Sequence, residues 1–206
     1  MNTSTKSTRR LRKPQSVSEN DQKEGVASEE TTTDEEYLAI CSVLWMEKPN
    51  LPWIPLAGAN LEWGRFEGAN LKRAYLREAD LRNAVLINAD LSDTHMFRAK
   101  LNNADLRQAN LRAANLKNAS LYLADLNNAH LQYADLVWAN LRGANLRNAQ
   151  LRGVDLSKAF LFEADLSEAD LRKADLRRAN LSKAENLDKA ILPDGWRRAL
   201  EDANLI

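Results

Sequence analysis

The residues of this 206-residue chain that could do chemistry are two histidines, one cysteine and a regular series of Asp and Asn side chains. His95 and His130 have no partner at the spacing that metal ligands require, so we expect both to be surface residues. Cys41 is the single cysteine, which excludes a disulfide framework and a thiolate metal cluster. We therefore expect no metal, no cofactor and no small-molecule substrate.

The Asp and Asn side chains recur every five residues, as in ADLRQANLRAANLKNAS at residues 104–120. Catalysis instead gathers a few ionisable groups in one pocket that excludes water. A repeating Asp or Asn favours a structural role, because these short side chains accept hydrogen bonds from backbone N–H groups in bends. The sequence therefore predicts that the protein is not an enzyme.

The five-residue repeat occupies residues 54–185 in unbroken register. We call its central residue i, beginning at Leu56 and ending at Leu181, which makes 26 units. The centre is Leu in 24 units, the exceptions being Phe66 and Met96. Position i−2 is Ala in 22 units, and position i−1 is Asp or Asn in 16. Such a period organises most of the chain and must be explained before any single residue.

Neither regular secondary structure accommodates this period. On an α-helix a five-residue step rotates the Leu positions by about 140°, and on a plain strand alternate Leu residues reach opposite faces. A short extended piece followed by a bend of about 90° solves the problem, and four such sides close a coil of about twenty residues. Coils would stack about 4.8 Å apart. We expect an all-β solenoid with Leu and Ala inside, its core including Leu106, Leu116, Leu126, Leu136 and Leu146.

The tandem A(D/N)LXX pattern resembles the pentapeptide repeat family, over about two thirds of the chain. The resemblance implies a right-handed quadrilateral β-helix, and the hand comes from the family alone. It also implies a bacterial, often cyanobacterial, protein of regulatory role. Some members of the family dimerise through the C-terminal end, so a homodimer of this kind stays open here.

The flanking segments do not follow the repeat. Residues 1–36 are polar and are predicted to form a disordered tail. Residues 37–53 are predicted to form a helical N-terminal cap, with Leu44 and Trp45 on its apolar face, followed by a Pro-rich stretch. Residues 186–206 are predicted to hold a last half-unit and a helical cap that uses Trp196 and Leu200. The two caps would cover the open ends of the coil.

The tail is polarised in charge. Its first third is basic, whereas eight acids lie between Glu19 and Glu36. This pattern suits a solvated tail or a docking segment. No apolar stretch follows the Arg9–Arg10 pair, and no segment approaches the length of a membrane span. We expect a cytoplasmic protein with no membrane partner, while targeting to an organelle or the thylakoid lumen by the tail stays open.

Function is expected on the outside of the coil, where positions i−1, i+1 and i+2 point. Large apolar residues and Arg cluster there, and such residues are the usual anchors of protein interfaces. The sequence predicts a site for a protein partner on one lateral face, with a second group on the next face. The first group is Tyr122, Leu123, Arg142, Phe160 and Phe162, and the second is Phe97 and Trp138.

Charge separates the competing interpretations. Some pentapeptide repeat proteins mimic DNA and bind type II topoisomerases, which requires a strongly negative surface. Residues 54–185 hold 19 basic and 16 acidic residues, a net charge of +3 with the wrong sign. Acids interleave with the arginines, so a nucleic-acid partner is not expected either. The remaining alternative is a structural rod whose N-terminal tail carries the interaction. The favoured interpretation is a non-catalytic scaffold that binds a protein partner.

Overall fold

The computed structural model describes residues 48–198, which wind into a coil that repeats every twenty residues. Parallel β-bridges join residues at position i−1 of successive coils, as between Asp105 and Asp125. Bridges follow one another every five residues along the chain, so each coil has four sides. The predicted all-β, four-sided solenoid is therefore confirmed.

Four lateral faces result, and we number them in the order in which the chain passes them. Each face is identified by the central residues that point inward behind it. Face 1 has Leu56, Leu76, Met96, Leu116, Leu136, Leu156 and Leu176. Face 2 has Leu61, Leu81, Leu101, Leu121, Leu141, Leu161 and Leu181. Face 3 has Phe66, Leu86, Leu106, Leu126, Leu146 and Leu166. Face 4 has Leu71, Leu91, Leu111, Leu131, Leu151 and Leu171.

A tight turn forms every corner. The carbonyl of residue i accepts a hydrogen bond from the N–H three residues later, as from Ala109 to Leu106 at 3.0 Å. The residue at i+2 is in the left-handed region throughout, with φ between 54° and 69°. A positive φ at the third residue is what a type II turn requires, and Gly and Asn adopt it at the lowest cost. Gly58, Gly143 and Gly153 occupy this position.

The backbone amides of each unit are divided between the neighbouring coils. The N–H groups of Leu106 and Gln108 donate to the next coil, at 2.7 and 3.0 Å, and that of Asp105 donates to the previous coil at 2.9 Å. The N–H at i−2 donates within the turn, so the N–H at i+1 is the only one in this unit that has no backbone acceptor. In all 16 units with Asp or Asn at i−1, its Oδ1 accepts from that amide. The recurring Asp and Asn therefore complete the backbone hydrogen bonding.

The centre of the solenoid is filled by the residues at i and i−2. All 26 central residues are buried, and the five core leucines of the sequence analysis are fully so. Gly64 shows how tight the filling is, because a Cβ added there would lie 2.4 Å from Cε2 of Phe66. The unit that enlarges its centre to Phe thus reduces its i−2 residue to Gly, which keeps the local volume constant.

The coil begins and ends outside residues 54–185. Asn50 pairs with Asn70, so the solenoid starts one unit earlier than the repeat pattern indicated. At the other end Glu185 pairs with Asp165 but Ile191 pairs with Asp170, a spacing of 21 rather than 20. The short 3₁₀ helix Leu187–Lys189 takes up the extra residue, and the buried side chain of Leu187 replaces a central residue.

The predicted end segments lie largely outside the described residues. The tail at 1–36, the helix with Leu44 and Trp45, and Leu200 fall there. Residues 196–198 are helical, and Trp196 packs half-buried against the core. Within residues 48–198 no helix is long and apolar enough to cross a bilayer.

Candidate protein-interaction site

Face 2 and its corner with face 1 carry a group of aromatic and basic side chains that we call the aromatic patch. It consists of Trp138, Arg142, Lys158, Phe160, Phe162 and Lys183. The rings of Trp138 and Phe160 are 6.4 Å apart, and these side chains are 46% and 45% exposed. Trp138 occupies i+2 of one coil and Phe160 occupies i−1 of the next, so they meet across the corner. The structure thus joins two residues that the sequence analysis assigned to separate groups.

Three cations lie against the rings of the aromatic patch. The guanidinium of Arg142 is 5.0 Å from the centre of Phe162, and Nζ of Lys183 is 5.4 Å from the same ring. Nζ of Lys158 is 4.9 Å from the ring of Trp138. Each contact is within the range of a cation–π interaction. The stacking of successive coils therefore places these three cationic groups beside the aromatic rings.

A shallow concavity of about 500 Å³ opens on this surface. It is lined by Asn140, Arg142, Phe160, Phe162 and Asn180. Phe160 lies between the two asparagines, because it is bridged to Asn140 below and Asn180 above. The concavity is open rather than enclosed, which suits a protruding side chain of a partner more than a small-molecule substrate.

Tyr122 and Leu123 continue the exposed surface on the preceding coil. Leu123 packs over Gly143, because a Cβ on that glycine would stand 2.7 Å from Cδ2 of Leu123. Gly143 thus combines the left-handed turn with room for a large exposed neighbour. Tyr122 lies at i+1 one coil before Arg142 and is 36% exposed. The candidate residues of face 2 therefore cover three consecutive coils.

Phe97 is not part of this surface. It lies on face 1, two coils before Trp138, at a separation of about 10 Å along the axis. The guanidinium groups of Arg77 and Arg98 lie 5.6 and 5.0 Å from its ring. Phe97 therefore belongs to a separate aromatic–arginine contact.

Four of the nine arginines at position i+1 are paired with the Asp of their own unit. Wherever Asp at i−1 is followed by Arg at i+1, the two form a bidentate pair, which we call a clamp. In one of them Arg107 donates to Asp105 from Nε at 2.8 Å and from Nη2 at 2.6 Å. The four clamps are Asp80–Arg82, Asp105–Arg107, Asp170–Arg172 and Asp175–Arg177. These arginines are consequently less available to an acidic partner than their number suggests.

The clamps also shift the titration of their carboxyl groups. Hydrogen bonds from Arg107, Arg172 and Arg177 hold the pKa values of their aspartates below the ordinary value. Burial raises the pKa of Asp80, but the hydrogen bonds of Arg82 outweigh it and the net shift is downward. The carboxylates therefore stay ionised at neutral pH.

The structure also exposes aromatic residues that the sequence analysis did not select. Trp53, Trp63 and Tyr133 lie at i+2, where every side chain points outward, and Tyr133 is 64% exposed. Arg73 lies 4.8 Å from the ring of Trp53. An inspection of the i+2 positions of the repeat would have found Trp63 and Tyr133, whereas Trp53 belongs to the earlier unit centred on Leu51. They lie apart from the aromatic patch, on the first coil or on face 4.

The two histidines are surface residues. His95 stacks on Tyr75 with ring centres 5.0 Å apart and an interplanar angle of 8°. His130 lies on face 4, bridged to Asn110 and Gln150. Among residues 48–198 no group of His, Cys, Asp and Glu side chains could hold a metal ion.

A family model for pentapeptide repeats matches the chain in eight copies, over residues 56–93, 89–128, 119–157 and 159–193. Proteins of this family fold as right-handed quadrilateral β-helices, so the predicted hand is confirmed. No curated protein matches the chain.

Several solved structures are similar. HetL, a pentapeptide repeat protein involved in heterocyst differentiation regulation from the cyanobacterium Nostoc sp. strain PCC 7120, is 31% identical; the match covers 78% of this chain and 97% of HetL with a TM-score of 0.32. Full-length QnrB1, a plasmid-mediated fluoroquinolone resistance protein, is 13% identical over 77% of this chain and 97% of its own, with a TM-score of 0.34. A pentapeptide repeat protein from the Arabidopsis thaliana thylakoid lumen is 23% identical; the match covers 63% of this chain and 69% of that protein, with a TM-score of 0.20.

Proposed function

The chain belongs to the pentapeptide repeat family, whose members are generally non-catalytic repeat proteins, and we propose that it is a scaffold that binds a protein partner through face 2. In this proposal it has no enzymatic activity and acts in the cytoplasm. The observation that carries the proposal is the aromatic patch, which places Trp138, Phe160 and Phe162 beside three cations.

The composition of the aromatic patch supports a protein interface. Aromatic residues and Arg dominate the binding energy of such interfaces, and exposed apolar groups that cluster mark them. Position i−1 holds Asp or Asn in 16 of the 26 units, yet Phe occupies it at 160. The side chain of Phe160 therefore cannot accept the hydrogen bond that Asp or Asn accepts in those 16 units, and it adds nothing to the core. The stacked backbone fixes the positions of the anchors, so docking orders few groups.

The topoisomerase-binding DNA mimic receives less support. Its surface requires an uninterrupted row of negative charge, and face 1 comes nearest with Asp135, Asp155 and Asp175 at i−1 of three consecutive coils. Arg177 interrupts that row by its clamp with Asp175. On face 3, Arg147 lies 3.4 Å from Asp165. We expect no inhibition when the protein is added to a supercoiling assay. Dimerisation through the C-terminal end stays a prediction.

A variant that copies the neighbouring coil tests the proposal. Phe160→Asn with Phe162→Ser replaces AFLFE by ANLSE and so reproduces the residues of the next coil, Asn180 and Ser182, at the same positions. The net charge is unchanged. Tyr133→Asn is the matched control, because it removes from face 4 an aromatic ring that is even more exposed than Phe160.

The measurement is crosslinking followed by affinity capture from the native cell. We expect the amount of captured partner to be at least about tenfold lower with the double variant than with the wild type, because the double variant lacks the two aromatic anchors. The Tyr133→Asn control should capture the same amount of partner as the wild type. Equal capture by both variants would show that face 2 is not the binding surface.

A further inference from the structure

The concavity beside Phe160 is rich in hydrogen-bond donors. Oδ1 of Asn140 accepts from the N–H of Arg142 at 3.1 Å, and Oδ1 of Asn180 accepts from the N–H of Ser182 at 3.0 Å. Neither Nδ2 group has a partner among the described residues. At three other asparagines of position i−1 this donor bonds to the residue one coil earlier, as Nδ2 of Asn145 donates to Asp125 at 2.9 Å. Phe160 cannot accept such a bond from Asn180, so Nδ2 of Asn180 keeps a free donor beside the ring.

The charge around the concavity has one dominant sign. Arg142, Lys158, Arg178 and Lys183 lie on three successive coils at this corner and face. The single carboxylate among them is Glu163, which lies 3.5 Å from Arg142. Free amide donors and an excess of cations around exposed rings suit a ligand that brings carboxylates and an apolar side chain.

The chain itself contains such a ligand. Residues 19–36 hold eight acids and one basic residue, Lys23, and Tyr37 and Leu38 follow directly. We propose that the acidic segment 19–38 of the N-terminal tail docks on the aromatic patch of the same chain. Its carboxylates meet Arg142, Lys158 and Lys183, and an apolar side chain enters beside Phe160.

The tail is long enough to reach this surface. Asn60 on the first coil and Phe160 stand in one column, five coils apart, which is about 24 Å along the axis. Residues 37–47 span about 36 Å when extended and about 16 Å when helical. Residues 19–36 add about 60 Å in extended form. The acidic segment therefore reaches the aromatic patch in either case.

Tethering and local charge favour this occupant over a nucleic acid. A ligand on the same chain has an effective concentration on the order of millimolar, so individually weak ion pairs suffice. A long polyanion would run past the aromatic patch and meet Asp165, Glu168 and Glu185 on face 3. A short acidic segment avoids that repulsion.

This inference rests on the proposed function, because a docked tail would compete with the partner for the same surface. It predicts that the tail occupies face 2 in the free protein and is displaced when the partner binds. Salt should weaken the contact, since it screens exposed ion pairs beyond about 10 Å at 0.1 M.

Photo-crosslinking within the full-length chain tests the docking. p-Benzoylphenylalanine replaces Phe160 in one protein and Tyr133 in the control, and the crosslinked peptides are identified by mass spectrometry. We expect crosslinks from position 160 to residues 19–38 at least about fivefold above those from position 133. They should fall several-fold in 0.5 M salt and in the variant Asp34→Lys with Glu35→Lys. Adding Arg142→Glu and Lys183→Glu to that variant should restore them.

The outcomes separate this inference from the proposed function. Mixing isotopically labelled and unlabelled chains distinguishes contacts within one chain from contacts between two copies, and crosslinks of mixed mass would overturn docking in the same chain. Equal tail crosslinking from positions 160 and 133 would overturn it as well. If the purified chain shows no tail crosslink while the Phe160→Asn, Phe162→Ser variant loses its captured partner, the inference fails and the proposed function stands. Crosslinks to added single-stranded DNA in place of the tail would also overturn it.

Discussion

Faces 2 and 3 in the last coils share one backbone but use it differently. On face 3 the polar groups bond to one another: Oγ of Ser167 donates to Asp165 at 2.8 Å, and Nδ2 of Asn186 donates to the same carboxylate at 3.2 Å. On face 2 the corresponding position holds Phe160, and the neighbouring Asn140 and Asn180 keep free donors among the described residues.

The difference separates residues that serve the fold from residues that serve recognition. Asp or Asn at i−1 completes the backbone hydrogen bonding of its own unit, so its presence needs no further explanation. The side chain of Phe160 contributes nothing to that bonding and exposes an apolar ring to water. A departure from the repeat that weakens local bonding and leaves the core unchanged is thus a sign of a functional surface.

The largest effect is expected inside, where the two faces do not differ. Leu126→Ala behind face 3 and Leu121→Ala behind face 2 should each reduce the free energy of unfolding by about 2–5 kcal/mol, because both side chains are fully buried and each change leaves a cavity. Urea denaturation measures this. Asn127→Ala is the control and should cost about 0.5 kcal/mol or less. Equal losses at positions 126 and 127 would contradict the inward placement of the centres.

A second prediction concerns the glycine beneath Leu123 on face 2. Gly143→Ala should cost about 1–2 kcal/mol, because alanine is strained at a φ of 64° and its Cβ would collide with Leu123. Gly195→Ala is the matched control: φ is 77°, but nothing lies within 4 Å of the added Cβ. We expect the control to cost less in thermal unfolding. An equal cost would mean that Leu123 moves freely.

The third prediction separates the two roles of an aspartate on face 3. Asp105→Ala removes the acceptor for the N–H of Arg107 and the clamp together, and should cost about 1 kcal/mol. Asp105→Asn keeps Oδ1 for that amide and removes the charge together with the Oδ2 acceptor of the clamp, so it should cost less. Urea denaturation of both variants measures the two losses in the free energy of unfolding. Identical losses would assign the whole effect to the ion pair.

The fourth prediction is a dependence on acid. The clamped aspartates have lowered pKa values in the folded chain, so their contribution is present above the unfolded pKa near 3.8 and disappears as pH falls through the folded values. Stability should therefore decrease below about pH 4. Replacing Arg107 and Arg172 by Gln should flatten this decrease in melting curves between pH 5 and 2. If the variant loses as much stability in acid as the wild type does, carboxylates outside these clamps must cause the decrease.

The smallest effect is expected from the aromatic patch itself. Phe160→Asn with Phe162→Ser should change the free energy of unfolding by no more than about 0.5 kcal/mol, because both sites are on the outside and the new residues follow the repeat. Chemical denaturation checks this. A loss above about 2 kcal/mol would show that the rings support the fold, which would erase the contrast between the two faces.

The sequence was sufficient for the architecture of the repeat. A five-residue period with Leu at the centre admits few backbones, and its chemistry also predicted that Asp and Asn bond the turn amides. The start of the coil was missed, because Pro49 stands at i−2 of the first unit in place of Ala. Pro49 is buried there, and its carbonyl accepts from Asn70 at 2.9 Å.

Two features of the surface depended on three-dimensional detail. Grouping residues by twenty placed Trp138 and Phe160 on different faces, whereas a side chain at i+2 reaches around the corner to i−1 of the next coil. The clamps were also not predicted from the sequence. The structure joins Arg107 to Asp105, because i−1 and i+1 of one short side point in the same direction.

The constant twenty-residue spacing of the β-bridges has a consequence for how such a protein changes its length. Removing one whole coil, such as residues 101–120, would shorten the rod by about 4.8 Å and leave every side chain on its original side. Removing five residues would instead rotate everything beyond the cut by a quarter turn. Length and orientation of a recognition surface can thus be varied independently, by insertions and deletions alone.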